Sequence, residues 1–194
     1  MRLGRAAVAG GTALVAAAAV VAWLGQGDPP AGQGDAQIEL GTSPSAPVGP
    51  VDAGWQVNRV VDGDTIRVTR SGERLTVRLI GIDSPESVKP NAPIECFGPE
   101  AARFAEDLLD GTEVALERDP AQQATDRYGR TLAYAWLVDS EGNPISLFNI
   151  EAIRAGVARE ATYDGRYQWQ QQFRAAQAQA QQQGRGLWGA CDAG

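Results

Sequence analysis

Hydrophobic and polar positions alternate with a period of two through the middle of the chain, the pattern of half-buried strands. Residues 57–61 (VNRVV) and 65–69 (TIRVT) read as two strands. Asp62-Gly63-Asp64 stands between them, and Asp-Gly between alternating runs is a strong hairpin signal. Ser71-Gly72 supplies a second turn. A third strand follows over 74–82, with Leu75, Val77 and Leu79 on one face and Thr76, Arg78 and Ile80 on the other. Gly98-Pro99 opens a helix with proline at the first helical position, and Gly111 stops it after Leu108-Leu109. Further strands are expected over 113–118 and 131–138, then helices over about 145–155 and 167–183. The pattern predicts an α+β, mainly β, fold: a five-stranded OB-type barrel with three helices.

The N-terminal quarter has a different texture. Arg2 and Arg5 precede Ala6–Leu24, 19 residues without a charge. At about 1.5 Å per residue this apolar helix comes close to spanning a hydrocarbon core. A basic start before an apolar run also describes a secretory signal peptide. It is long for that role, and Gly25-Gln26-Gly27 is the nearest small-x-small site. A retained anchor and a cleaved signal both stay open, and either exports the remainder. Residues 25–53 hold Pro29, Pro30, Pro44, Pro47 and Pro50 among Gly, Ser, Ala and Gln, the composition of a disordered linker. The expected organisation is therefore 1–24 signal or anchor, 25–53 linker and 54–194 folded domain. The protein is expected to be secreted or tethered through residues 6–24 at the outer face of a membrane.

Composition narrows the chemistry. The chain of 194 residues has no histidine and two cysteines. That excludes Ser-His-Asp and Cys-His catalysis, zinc sites built on histidine and any Cys₄ zinc site. Chemistry must run on carboxylates, guanidinium groups, hydroxyls or a hard cation. The net charge of −7 argues mildly against a nucleic-acid partner. A local site can oppose the global charge.

Asp62 and Asp64 flank the first hairpin turn, while Asp83 and Glu86 follow the third strand around Ser84-Pro85. Adjacent strand ends lie within a few ångströms, so the four carboxylates would repel one another unless a cation neutralised them. Oxygen donors point to Ca²⁺ or Mg²⁺. Ordinary turn chemistry explains the same aspartates, since Asp caps turns through its own side chain. Arg78 precedes Asp83 by five residues, so a regular strand would place the two on opposite faces. Only a bend or bulge would join them. Arg130 begins a strand after Tyr128-Gly129 and reads equally as a turn-flanking charge.

Taken together, Val61-Asp62-Gly63-Asp64-Thr65 and Arg78-Leu79-Ile80-Gly81-Ile82-Asp83-Ser84-Pro85-Glu86 resemble the thermonuclease (staphylococcal-nuclease-like) family. Phe97-Gly98-Pro99-Glu100-Ala101, Thr125-Asp126-Arg127-Tyr128-Gly129-Arg130 and Leu132-Ala133-Tyr134 continue the likeness in order, over about Trp55 to Trp188. The resemblance implies a Ca²⁺-dependent nuclease acting on DNA and RNA, preferring single strands and leaving 3′-phosphate ends. It implies Asp64 and Asp83 as Ca²⁺ ligands, the main-chain carbonyl of Ser84 as a third, and Asp62 in the outer shell. Arg78 and Arg130 match the phosphate-binding arginines and Glu86 the residue assigned as general base. A catalytically silent nucleic-acid-binding or adaptor domain of the same fold is the rival reading, and the filled catalytic positions speak against it.

Arg127 stands where the family's prototype has lysine. Tyr128 is retained, and Tyr163 alone represents a pair of tyrosines near the base, so Arg127, Tyr128 and Tyr163 are the expected substrate contacts. Cys96 and Cys191, in an exported chain, are expected to pair, with two free thiols as the alternative. A monomer is expected, and the Gln-rich stretch 168–183 reads as the solvated face of the last helix.

Overall fold

The computed structural model describes residues 44–87 and 93–191. The apolar segment 6–24 and most of the linker lie outside the described residues. Among those described, no helix is long and apolar enough to cross a membrane.

Strands β1 (Val51–Asp62), β2 (Thr65–Arg70) and β3 (Glu73–Leu79) form an antiparallel meander. Helix α1 (Gly98–Leu109) follows, then β5 (Glu113–Glu117) and β6 (Thr131–Val138), with the two-residue β4 (Ile82–Asp83) between β3 and α1. The strand order is β3-β2-β1-β5-β6, and a parallel pairing of β3 with β6 (Arg78 opposite Leu132) closes the five strands into the expected barrel. β7 (Pro144–Leu147) extends β6 on its other edge, and α2 (Phe148–Ala155), β8 (Arg159–Glu160), α3 (Gln170–Gln182) and the single turn α4 (Leu187–Ala190) complete the chain.

Closing five strands demands bends, and these account for the departures from the sequence pattern. β1 starts at Val51, inside the stretch whose composition reads as linker. Its first half pairs with β5 and its second half with β2, so one strand serves two neighbours. The ladder to β5 slips between Asp52 and Trp55, where Gly54 takes a φ of 84°. Likewise, residues 144–147 join the sheet edge, so the helix expected from 145 starts at Phe148. Ser71 and Gly72 both take positive φ, 48° and 88°, as a twist-compatible two-residue hairpin requires. Gly63 does not; a Cβ there would fall 2.7 Å from that of Ser84. Glycine at the first hairpin serves close approach.

The barrel interior holds Val57, Ile66, Val68 and Val77, each fully buried; α2 covers β6 from outside, and α3, packed on α2, sets Phe173 edge-on to Tyr134. β6 is therefore buried on both faces over Ala133–Trp136 and loses its alternation. Cys96 and Cys191 form the expected disulfide, with Cα atoms 5.9 Å apart.

One core residue is a carboxylate the pattern did not single out. Glu117 is 0% exposed and accepts hydrogen bonds from Trp136 Nε1 at 2.8 Å, Gln168 Nε2 at 2.9 Å and the main-chain N–H groups of Val48 and Gly49. Trp169 Nε1 approaches at 3.4 Å. Five donors around one carboxylate tie the segment before β1 to the barrel and to the approach to α3. Glu117→Ala is expected to cost about 2–3 kcal/mol in urea unfolding, because the buried indole and amide donors lose their acceptor together.

Candidate functional site

The first hairpin places Asp64 in the turn after β1. Asp62 Oδ1 accepts the N–H of Asp64 at 3.0 Å, so turn capping is part of what Asp62 does. Asp64 is buried, and its Oδ1 accepts from Thr65 Oγ1 at 2.9 Å while Oδ2 accepts from the N–H of Ser84 at 3.0 Å. Burial pushes its carboxyl up to about 6 against the opposing pull of Arg78, and the neighbouring charge of Asp62 pushes the same way as burial.

Arg78 is the hub. Its Nε lies 3.1 Å from Asp64 Oδ1, and Nη1 donates to the main-chain carbonyls of Leu79 (2.8 Å) and Ile82 (2.7 Å). Nη2 donates to Asp83 Oδ1 at 3.1 Å and to the Tyr163 hydroxyl at 3.3 Å. Arg78 and Asp83 meet because the strand does not stay regular. β3 ends at Leu79, Gly81 turns the chain at φ 77°, and Ile82 and Asp83 pair with β8 instead. A Cβ on Gly81 would sit 2.7 Å from the Tyr167 ring, so glycine is required there twice over. Tyr163, whose register is not evident from the sequence, donates its hydroxyl to Asp83 Oδ1 at 2.8 Å. Burial and the Asp83 carboxylate push that hydroxyl up to about 12.

Glu86 is held through its main chain. Its N–H donates to Glu95 Oε2 at 3.2 Å and its carbonyl accepts the N–H of Glu95 at 2.9 Å. Gly98 packs so tightly that a Cβ would fall 2.4 Å from the Glu86 carbonyl oxygen. On the far side, Arg130 Nε donates to Asp126 Oδ2 at 2.7 Å, and its Nη1 reaches Thr65 Oγ1 at 3.5 Å. Burial alone would raise the Asp126 carboxyl. The hydrogen bonds from Arg130 and from the Tyr128 N–H outweigh it and hold the carboxyl below its usual range. Arg127 Nη2 donates to the hydroxyl of the exposed Tyr128 at 2.7 Å.

All ten side chains expected at the site, Asp62, Asp64, Arg78, Asp83, Ser84, Glu86, Arg127, Tyr128, Arg130 and Tyr163, line one cleft of about 780 Å³. The sequence shows Asp126 within the Thr125–Arg130 motif but assigns it no task. Its place four residues before Arg130, across a turn with Gly129 at φ 78°, was the available signal.

Among the described residues no three acidic side chains gather tightly enough to form a metal site unaided. The donors nonetheless suit a hard divalent cation. They are carboxylate oxygens of Asp64 and Asp83 converging on one guanidinium, with Asp62 close enough to raise Asp64. Arg78 pairs with two of these carboxylates, and Asp62 adds a third negative charge beside Asp64. Arg78 within that cluster and Arg130 beside Thr65 line the same cleft and can hold a phosphate group between them.

Comparison with known proteins gives the family. Residues 76–190 match the family model described as staphylococcal nuclease homologue. The chain is 42% identical over 134 residues to a thermonuclease of Staphylococcus hyicus, covering 69% of this chain and 75% of the relative. A thermonuclease of Staphylococcus intermedius is 39% identical over the same shares. The endonuclease YncB of Bacillus subtilis is 32% identical over 133 residues, 68% of this chain and 60% of that protein.

Proposed function

Since the chain belongs to the staphylococcal nuclease homologue family and is a phosphodiester hydrolase, we propose that it is an exported, Ca²⁺-dependent nuclease that cleaves single-stranded DNA and RNA to leave 3′-phosphate ends. The observation that carries this reading is the convergence of Arg78, Arg130, Glu86, Asp64 and Asp83 on one cleft.

Phosphodiester hydrolysis adds negative charge to a phosphorus centre that already bears some. Arg78 and Arg130 offset that charge, their planar forks matching two phosphate oxygens each. The Nη1 of Arg78 is committed to main-chain carbonyls, which fixes the plane of the guanidinium. Nε and Nη2 are shared with cleft side chains and are the donors available to substrate. Asp126 fixes Arg130 in the same manner through its Nε. Glu86 takes the proton of the attacking water or orients that water, with its main chain held by Glu95. Tyr128 and Tyr163 offer rings on which a base stacks, worth about 1–3 kcal/mol each. Asp64, Asp83 and the carbonyl of Ser84 would hold Ca²⁺, with Asp62 in the outer shell. When bound, the ion supplies Lewis-acid polarisation and further charge neutralisation at the phosphate.

Export is supported by the basic start and uncharged run of residues 1–24 and by the Cys96–Cys191 bridge, a bond that persists in oxidising compartments. The catalytic reading is tested by incubating the purified protein with a single-stranded DNA oligonucleotide in Ca²⁺ or in EGTA, beside Arg130→Ala. Cleavage is expected only with Ca²⁺, with 3′-phosphate product ends by mass spectrometry, and a loss on the order of 10²–10³-fold in the variant. Cleavage that survives EGTA or ignores the substitution overturns it.

A further inference from the structure

The sheet that carries Arg78 also carries cations outside the cleft. Side chains two positions apart on a strand share a face. Arg74 and Thr76 therefore look outward with Arg78, and Arg67 looks outward with Thr65, while Ile66, Val68 and Val77 fill the barrel. Pairing across β2 and β3 sets Thr65 opposite Arg78, Arg67 opposite Thr76 and Thr69 opposite Arg74. β1 adds Arg59 directly opposite Arg67.

The outer face is thus ordered in rows. The first, Thr65 with Arg78, belongs to the cleft, since Thr65 Oγ1 lies beside Arg130 and Arg78 lines the wall. The second, about 7 Å further along the strands, is Arg59, Arg67 and Thr76. The third ends in Arg74. Arg59, Arg67 and Arg74 are exposed, and among the described residues none has an ion-pair partner. Arg70 meets Asp52 and Arg174 meets Glu160, while other exposed arginines such as Arg103 and Arg166 are also without an ion pair among the described residues, so it is the shared face beside the cleft that sets these three apart. Like charges directly opposite on adjacent strands are destabilising, so the Arg59–Arg67 pair costs the folded barrel something that no neighbouring carboxylate offsets.

We propose that this outer face of β1–β3 is a track for the single-stranded nucleic acid running on from the scissile phosphate, with Arg67 and Arg59 taking the next phosphates and Arg74 one beyond. The proposal rests on the nuclease reading of the cleft and extends it. Its occupant is a polyanion because the rows offer the guanidinium groups of Arg59, Arg67 and Arg74 with the hydroxyl of Thr76, and the face is continuous with the site that takes the same strand. Guanidinium-to-phosphate contacts carry no base information, so the track adds affinity without sequence preference. It also explains how a chain of net charge −7 engages a polyanion.

The test is fluorescence anisotropy of a labelled 20-nucleotide single-stranded DNA with the intact protein in EGTA, so that binding is read whether or not cleavage occurs. For Arg59→Gln, Arg67→Gln and the double variant, the slope of log Kd against log salt is expected to fall by about 0.7 for each arginine removed. Affinity at 0.1 M salt should weaken roughly fivefold per arginine, from the same slope carried to 1 M. Arg103→Gln removes an equal charge from the exposed side of α1 and should change neither quantity. Unchanged slope and affinity in the double variant, or an equal effect from Arg103→Gln, overturns the track. Failure of the Ca²⁺ assay with the slope still responding would overturn the nuclease reading alone.

Discussion

Replacing Arg78 by lysine is expected to lower kcat on single-stranded DNA by on the order of 10²–10³-fold, the usual cost of removing one preorganised donor from a site of developing negative charge. Lysine keeps the positive charge, so the loss would measure the guanidinium fork itself. An ammonium has three donors at one point and cannot replace a planar group that holds Leu79 O and Ile82 O with one nitrogen and reaches Asp83 and Tyr163 with another. The fold should survive, because Asp64 keeps a cation nearby and the hydrogen bonds from Ser84 and Thr65. Thermal unfolding checks that point, and steady-state kinetics reads the rest. A variant that keeps more than about a tenth of wild-type kcat would show that charge alone suffices there.

Removing the disulfide with Cys96→Ser and Cys191→Ser is expected to cost about 4–5 kcal/mol of stability, because the bridge closes a separation of 95 residues and long loops gain most on the chain-entropy model. Urea unfolding of oxidised and substituted protein measures it. A second effect follows from where the bridge sits. Cys96 comes directly after Glu95, whose main chain and carboxylate hold the main chain of Glu86, and directly before the turn into α1 where Gly98 presses on the Glu86 carbonyl. Loosening that limb displaces Glu86 without touching either arginine. In protein that is still folded, kcat should fall about 10- to 100-fold while KM changes little, since small misplacements of a reacting group are costly. An unchanged kcat would disconnect the bridge from Glu86 and leave it a purely structural tie.

How far the site could be read in advance differs from residue to residue. Asp64, Arg78, Asp83, Glu86 and Arg130 are legible as candidates because their motifs keep order and spacing. Glu117 is not, since an acidic residue in a strand ordinarily points to solvent, and its burial depends on indole and amide donors from 19 to 52 residues downstream and on the segment before β1. Asp126 escaped because its task is to hold Arg130, and a supporting carboxylate has no pattern of its own.

The sequence by itself determined the available chemistry and the five strands of the barrel, though not β4, β7 or β8. With no histidine and two cysteines, the cleft had to be built from carboxylates and guanidinium groups. The two-residue period and the turn residues at 62–64 and 71–72 mark the meander, because such signals are local and each residue reports its own side of the sheet. Tertiary structure alone decided which groups meet. Arg78 and Asp83 fall on opposite faces by alternation and are joined only because closing the barrel ends β3 at Leu79 and hands Asp83 to β8. Tyr163 reaches Asp83 across 80 residues of chain, and Arg59 faces Arg67 only through the register of β1 on β2. Local periodicity sets which way a side chain points; the partner it finds there is set by bends and by contacts distant in sequence, which no short window contains.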